Sequence, residues 1–144
     1  MSETYFITGA QGCIGSWIVK ALVERRDAVV IFDRSEDRRR LEAIIAPDDL
    51  ARARFVSGDI TDVAAVRSAL EKSEAKKIIH LAGLQVPTCR ADPVNGAFVN
   101  VIGALNLFES AKAAGAEQIV YASSAAVFGA GEADEPVTEV LPHG

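Results

Sequence analysis

The chain has little with which to staple or anchor itself. Its 144 residues include two cysteines, Cys13 and Cys89, too few and too far apart for a disulfide framework. With His80 and His143 they make no metal-ligand spacing, so no metal site is expected. No apolar run approaches the ~18 residues that span a bilayer, which argues against a membrane partner. Met1-Ser2-Glu3 leads directly into an apolar segment with no charged leader or cleavage site, so a secretory signal is not expected and a cytoplasmic address is. Positive charge is scarce as well. The balance of 15 Lys+Arg against 20 Asp+Glu leaves a net charge of −5, which provides no electrostatic footprint for nucleic acid. The one basic cluster, Arg38-Arg39-Arg40 after Arg34, is interleaved with Glu36, Asp37 and Glu42 and reads as a solvated helix face.

What is present is a globular composition, 49% hydrophobic and 24% charged, at a one-domain length that can bury a core. Short apolar, β-branched runs alternate with longer segments of helical period. Strands are expected at Tyr5–Thr8, Ala28–Phe32, Arg54–Ser57, Lys77–Leu81 and Gln118–Ala122. Helices are expected at Ile14–Arg25, at Glu36–Ala46 closed by Pro47, from a cap at Thr61 or Asp62 to about Lys72, and from about Asn95 to Ala114. A loop holding Pro87 and Pro93 should precede the last of these. Strand and helix in regular alternation imply a doubly wound parallel α/β sheet, a Rossmann fold of strand order 3-2-1-4-5 with helices on both faces. Residues 1–129 are expected to form this domain. Residues 130–144, acidic and without period, read as a loop tail leading toward a catalytic part that is absent.

Directly after the first strand stands Thr8-Gly9-Ala10-Gln11-Gly12-Cys13-Ile14-Gly15. In that position Gly9 would make the tight turn, Gly12 would let backbone approach a pyrophosphate, and Gly15 would let the helix pack close to the strand. The helix start then presents N–H groups and a positive dipole end to phosphates. Glycines alone are weak grounds. A strand before, a helix after and Asp33 closing the second strand make a dinucleotide site the expectation, with Asp33 taking the adenosine ribose hydroxyls. Arg34 beside it could meet a 2′-phosphate. Gly58-Asp59-Ile60, Ala82-Gly83 and Ser123-Ser124 end the later strands at the same edge.

The segments T-G-A-Q-G-C-I-G, G-D-I, H-L-A-G, N-V-I-G-A-L-N-L-F-E-S-A and Y-A-S-S-A-A-V-F-G, together with Asp33, resemble the extended short-chain dehydrogenase/reductase family. Within it they resemble the NAD-dependent epimerase/dehydratase group, in the family's order from Thr4 to Gly129. The resemblance implies that Gly9, Gly12, Cys13, Ile14 and Gly15 line the pyrophosphate, Asp33 the adenine ribose, and Asp59 with Ile60 the adenine. Leu81, Ala82 and Gly83 would flank the central ribose and phosphates, Asn100 would support the nicotinamide side, and Ser123 would border the nicotinamide. Ser124 matches the family's catalytic Ser/Thr, which hydrogen-bonds a substrate oxygen while a tyrosine beside a lysine moves the proton. NAD is the implied cofactor, with NADP less favoured. The implied substrate is a sugar, nucleotide-activated, or an alcohol, and the implied partner is a second copy packed through the helix around 95–114.

This sequence departs from the family in two respects. Neither Tyr5 nor Tyr121 is followed four residues later by lysine, and the chain ends at Gly144 before the expected Y-x-x-x-K. Phe128 also stands where a tyrosine is common. The reading is therefore an enzyme domain cut short of its Tyr/Lys pair and inactive alone; the alternative is a non-catalytic dinucleotide-binding or redox-sensing module. Epimerase, dehydratase and dehydrogenase chemistry stay open. His80, inside an apolar strand, is expected to be a satisfied core histidine. Cys13 is expected to pack beneath the phosphates.

Overall fold

A computed structural model describes residues 3–124. Five strands, β1 (Thr4–Thr8), β2 (Ala28–Asp33), β3 (Ala53–Ser57), β4 (Lys77–His80) and β5 (Gln118–Tyr121), lie in the order β3-β2-β1-β4-β5. Every pairing is parallel, with Phe6 opposite Val30 on one side and Ile78 on the other. This is the expected Rossmann arrangement.

Successive strand residues point to opposite faces, and that alternation sorts the core into two layers. Phe6, Val30, Phe32 and Ile78 meet Val66 and Leu70 of α4 (Val63–Ser73) and Leu107 and Ala111 of α7 (Gly103–Ala113). Ile7, Val29 and Ile31 point the other way, against Val19, Leu22 and Val23 of α1 (Cys13–Glu24) and Leu41 of α2 (Arg39–Ile44). Burying each such side chain stabilises the fold by roughly 1.5–3 kcal/mol. A central strand covered on both faces has no place for polar alternation, which is why β2 reads as a continuous apolar run.

The second helix starts later than its charge pattern suggests. Ser35 Oγ accepts the Asp37 N–H at 3.1 Å, and Asp37 Oδ1 accepts the Arg39 N–H at 3.1 Å. These local side-chain bonds compete with helical hydrogen bonding before Arg38, the N-cap, so α2 begins at Arg39 rather than Glu36. Pro47 opens a further short helix, α3 (Pro47–Leu50), because a first-turn proline gives up no hydrogen bond. The basic cluster is exposed but engaged. The Arg38 guanidinium lies 3.7 Å from the Phe55 ring centroid, Arg39 pairs with Asp37, and Arg40 donates to the Gln11 carbonyl.

Asp62 caps α4, accepting from the N–H groups of Ala64 and Ala65. The segment expected to be a loop around Pro87 and Pro93 is helical: α5 (Val86–Ala91) and α6 (Pro93–Ala97) each carry their proline in the first turn. The single helix expected over 95–114 is likewise divided. A π-helical turn, Phe98–Ile102, separates α6 from α7. The expectations for Phe128, His143 and the acidic tail fall outside the described residues.

Candidate functional site

The site begins where β1 hands over to α1. Gly9 has a φ of +68°, and a Cβ there would lie 2.6 Å from the Ala82 nitrogen; only glycine lets β1 turn this close to the end of β4. A Cβ on Gly15 would lie 2.5 Å from the Gly9 carbonyl oxygen, so α1 can sit directly on the turn. The N-cap, Gly12, brings no side-chain acceptor. The first-turn N–H groups of Cys13, Ile14 and Gly15 therefore have no intrahelical or side-chain partner, and they sit at the positive end of a 12-residue helix.

Beside this turn is a cavity of about 240 Å³, lined by Gly9, Gly12, Asp33, Arg34, Asp59, Ile60, Leu81, Ala82 and Gly83, with Phe32, Gly58, Leu84 and Val99 completing the wall. All of these except Val99, which lies in the π-helical turn, follow or end β1 to β4 at their carboxyl edge, where doubly wound sheets take ligands. Asp33 is fixed by two backbone donors: Gln11 N–H to Oδ2 at 3.1 Å and Ser35 N–H to Oδ1 at 3.0 Å. Asp59 Oδ1 accepts both the N–H and the hydroxyl of Thr61, each at 2.8 Å. Those two bonds, with a smaller contribution from the Arg34 charge, hold the Asp59 carboxyl below the usual carboxylate range. The cavity thus gathers the Asp33 and Asp59 side chains and the N-cap of α1 around one space.

Ile60 is buried, and a Cβ on Gly103 would come within 2.7 Å of its Cγ2. Asn106 Nδ2 donates to the Ile60 and Thr61 carbonyls at 3.2 and 3.0 Å, tying the end of β3 to α7.

A second cavity, about 770 Å³, shares Leu81, Ala82 and Gly83 with the first and adds His80, Cys89, Asn100, Tyr121, Ser123 and Ser124. Asn100 lies inside the π-helical turn and grips both polar groups of Leu84: its Oδ1 accepts the N–H at 2.7 Å and its Nδ2 donates to the carbonyl at 3.0 Å. His80 is buried and hydrogen-bonded to Thr8, the satisfied core histidine expected of it. Tyr121 stacks on it with ring centroids 5.2 Å apart.

The structure therefore brings most of the expected residues into two adjoining cavities. Cys13 and Ile14 line neither and are exposed in the first turn of α1; Gly15 is buried against Gly9 and Ala10. Tyr5 is bonded to Glu3 near the amino end of β1, away from both cavities. Sequence reasoning missed Gln11, Thr8, Leu84 and Asn106, whose roles depend on partners 16 to 74 residues away. The strand-end position of Thr8, next to the glycine turn, is the one available signal. Among the described residues no three His, Cys, Asp or Glu side chains cluster to hold a metal, and no helix is long and apolar enough to cross a membrane.

Comparison with known proteins agrees with this geometry. A UDP-glucose 4-epimerase of Erwinia amylovora is 37% identical over 141 residues, covering 96% of this chain and 41% of that protein. The chain thus spans about two fifths of the length of that curated relative. The Bordetella bronchiseptica enzyme WbmH in complex with NAD+ superposes with a TM-score of 0.83 at 29% identity, over 100% of this chain and 47% of that one. A Thermus thermophilus UDP-glucose 4-epimerase complex with NAD gives a TM-score of 0.81 at 29% identity, over 97% of this chain and 44% of that one. The NAD dependent epimerase/dehydratase family matches residues 5–144, and with strand order, glycine turn and strand-end residues all in agreement, the chain belongs to that family.

Proposed function

We propose that this chain is the NAD-binding portion of an epimerase acting on a nucleotide-activated sugar. The observation that carries the reading is the first cavity, in which the Asp33 and Asp59 side chains share a wall with Gly9 and with Gly12 at the uncapped start of α1, where a Cβ on Gly9 or Gly15 would strike backbone. Those features fit a dinucleotide: donors for a pyrophosphate, acceptors for ribose hydroxyls, and no Cβ between them. The relatives named UDP-glucose 4-epimerase and the neighbours crystallised with NAD support the choice of cofactor and substrate class.

When bound, NAD supplies a hydride acceptor at a sugar carbon. The first-turn N–H groups of Cys13, Ile14 and Gly15 hold the pyrophosphate. Asp33 accepts from the adenosine ribose hydroxyls, favouring NAD over NADP, and Asp59 with Ile60 borders the adenine. Leu81, Ala82 and Gly83 wall the passage into the second cavity, where Asn100 and Ser123 flank the nicotinamide end. Ser124 orients the substrate oxygen. Proton transfer requires a phenol beside a cation, and Tyr5 and Tyr121 lack one in the family's spacing, so the 144-residue chain binds without turning over.

A second copy is the proposed partner. Phe98, Val101 and Leu105 are 53%, 55% and 52% exposed along one helical stretch, more apolar surface than a lone helix face leaves in water. The test of the function pairs calorimetry with NAD against nicotinamide absorbance during incubation with UDP-glucose. Saturable binding without turnover supports the reading; steady turnover lost in Ser124→Ala overturns the incomplete site, and absence of binding overturns the cofactor.

A further inference from the structure

The loop after β2 does not stand alone beside the glycine turn; one residue joins them. Gln11, between Gly9 and Gly12, uses three separate groups. Its N–H reaches Asp33 Oδ2 at 3.1 Å, its Nε2 donates to the Ser35 carbonyl, and its carbonyl accepts from Arg40 at 3.2 Å. Ser35 in turn donates its own N–H to the other oxygen of Asp33 at 3.0 Å. The result is a closed ring of contacts, Gln11 to Ser35 to Asp33 and back to Gln11, with Arg40 bracing it from α2.

We propose that Gln11 is a positioning residue for the adenosine end of the site: its side-chain amide fixes the loop after β2 so that the Asp33 carboxylate is held ready for the ribose hydroxyls. This inference rests on the dinucleotide reading above. A carboxylate has about four acceptor positions. Two of those of Asp33, one on each oxygen, are taken by backbone N–H groups of the two loops. One position on each oxygen is left, the pair that a vicinal diol needs. The amide contact to Ser35 sets how far apart the two donor loops stand, and so which way the remaining pair faces. The other end of that amide, Oε1, is buried without a partner, so the bond to Ser35 is what holds the side chain in place. A residue lacking a donor of this length leaves Ser35 and its N–H free to move, and the carboxylate loses one of its two guides. The order lost there costs binding energy when the ligand has to restore it.

Calorimetry on the 144-residue chain with two ligands, NAD and its analogue lacking the 2′-hydroxyl on the adenosine ribose, tests this. Gln11→Met keeps the side-chain length and removes the donor. If Gln11 acts through Asp33, the substitution weakens NAD by about fivefold, the scale of one hydrogen bond, and leaves the deoxy analogue within about twofold. Arg40→Met, at an exposed position, shows the same selectivity at smaller size and serves if Gln11→Met does not fold. Equal losses for both ligands overturn the proposal in favour of a general structural role, and no loss for either overturns it outright. Wild-type chain that binds neither ligand, or both equally well, overturns it at a different point, by removing the dinucleotide or the Asp33 contact on which it rests.

Discussion

Thr8 Oγ1 lies 2.6 Å from His80 Nδ1, across the β1–β4 pair at the edge that carries the site. The same oxygen accepts the Ala82 N–H at 3.3 Å. The pair ties three strand-end residues together beneath the point where the two cavities meet. It also holds a neutral ring in the core, because burial pushes the His80 imidazole down to about 4.

That burial has a signed consequence for stability. An unfolded histidine titrates near 6.5, so between about 6.5 and about 4 the unfolded chain takes up a proton that the folded chain refuses. Stability from this source is complete above about pH 6.5 and falls as pH drops toward 4, by up to about 3 kcal/mol. Urea unfolding of the wild type and of His80→Asn across this window checks it. The variant is expected to be less stable at neutral pH and to lose less on acidification; parallel losses contradict the assignment.

Gly9→Ala places a methyl where the Ala82 backbone already stands, in a left-handed conformation that costs an L-residue about 1–2 kcal/mol before any overlap. Destabilisation of about 3 kcal/mol or more is expected from urea titration. A loss below about 1 kcal/mol would show that β1 and β4 can separate at the turn.

In the proposed site Asp33 would accept from the ribose hydroxyls, and a 2′-phosphate would set like charges against each other there. NAD should therefore bind more tightly than NADP by about tenfold or more, the scale of one charged hydrogen bond. Asp33→Asn is expected to narrow the gap by weakening NAD and relieving NADP. Calorimetry with both cofactors measures it, and tighter binding of NADP by the wild type refutes the role given to Asp33.

Phe98 and Leu105, each more than half exposed on the helical stretch that packs beside β4, should drive self-association. Light scattering is expected to show a dimer or larger species at high concentration, shifted toward monomer by Leu105→Glu. A wild-type monomer under those conditions removes the proposed contact.

What could be read from the sequence was local. Thr8 to Gly15 carries its meaning in a few adjacent residues, and the apolar run of β2 reports its own burial, so the sheet order and the first cavity followed. The features that sequence did not reveal depend on partners far along the chain. Asn100 lies in the π turn that divides the long helix and grips Leu84, and the two cannot be related before the fold brings them together. Pro87 and Pro93 read as loop residues because proline ends helices, yet the same ring is tolerated in a first turn, and here both prolines lie in the first turn of a helix. Gln11 carries no signal of its own in the sequence, since its contacts lie with Ser35 in the loop after β2 and Arg40 in α2.

The account stands on dinucleotide binding at the carboxyl ends of the strands, and titration of NAD into the 144-residue chain tests that most directly. Binding at one site per chain is predicted, weakened about tenfold or more by Asp33→Ala in a protein that still unfolds cooperatively. A folded wild-type chain that gives no binding, or one whose affinity is indifferent to Asp33, would contradict it.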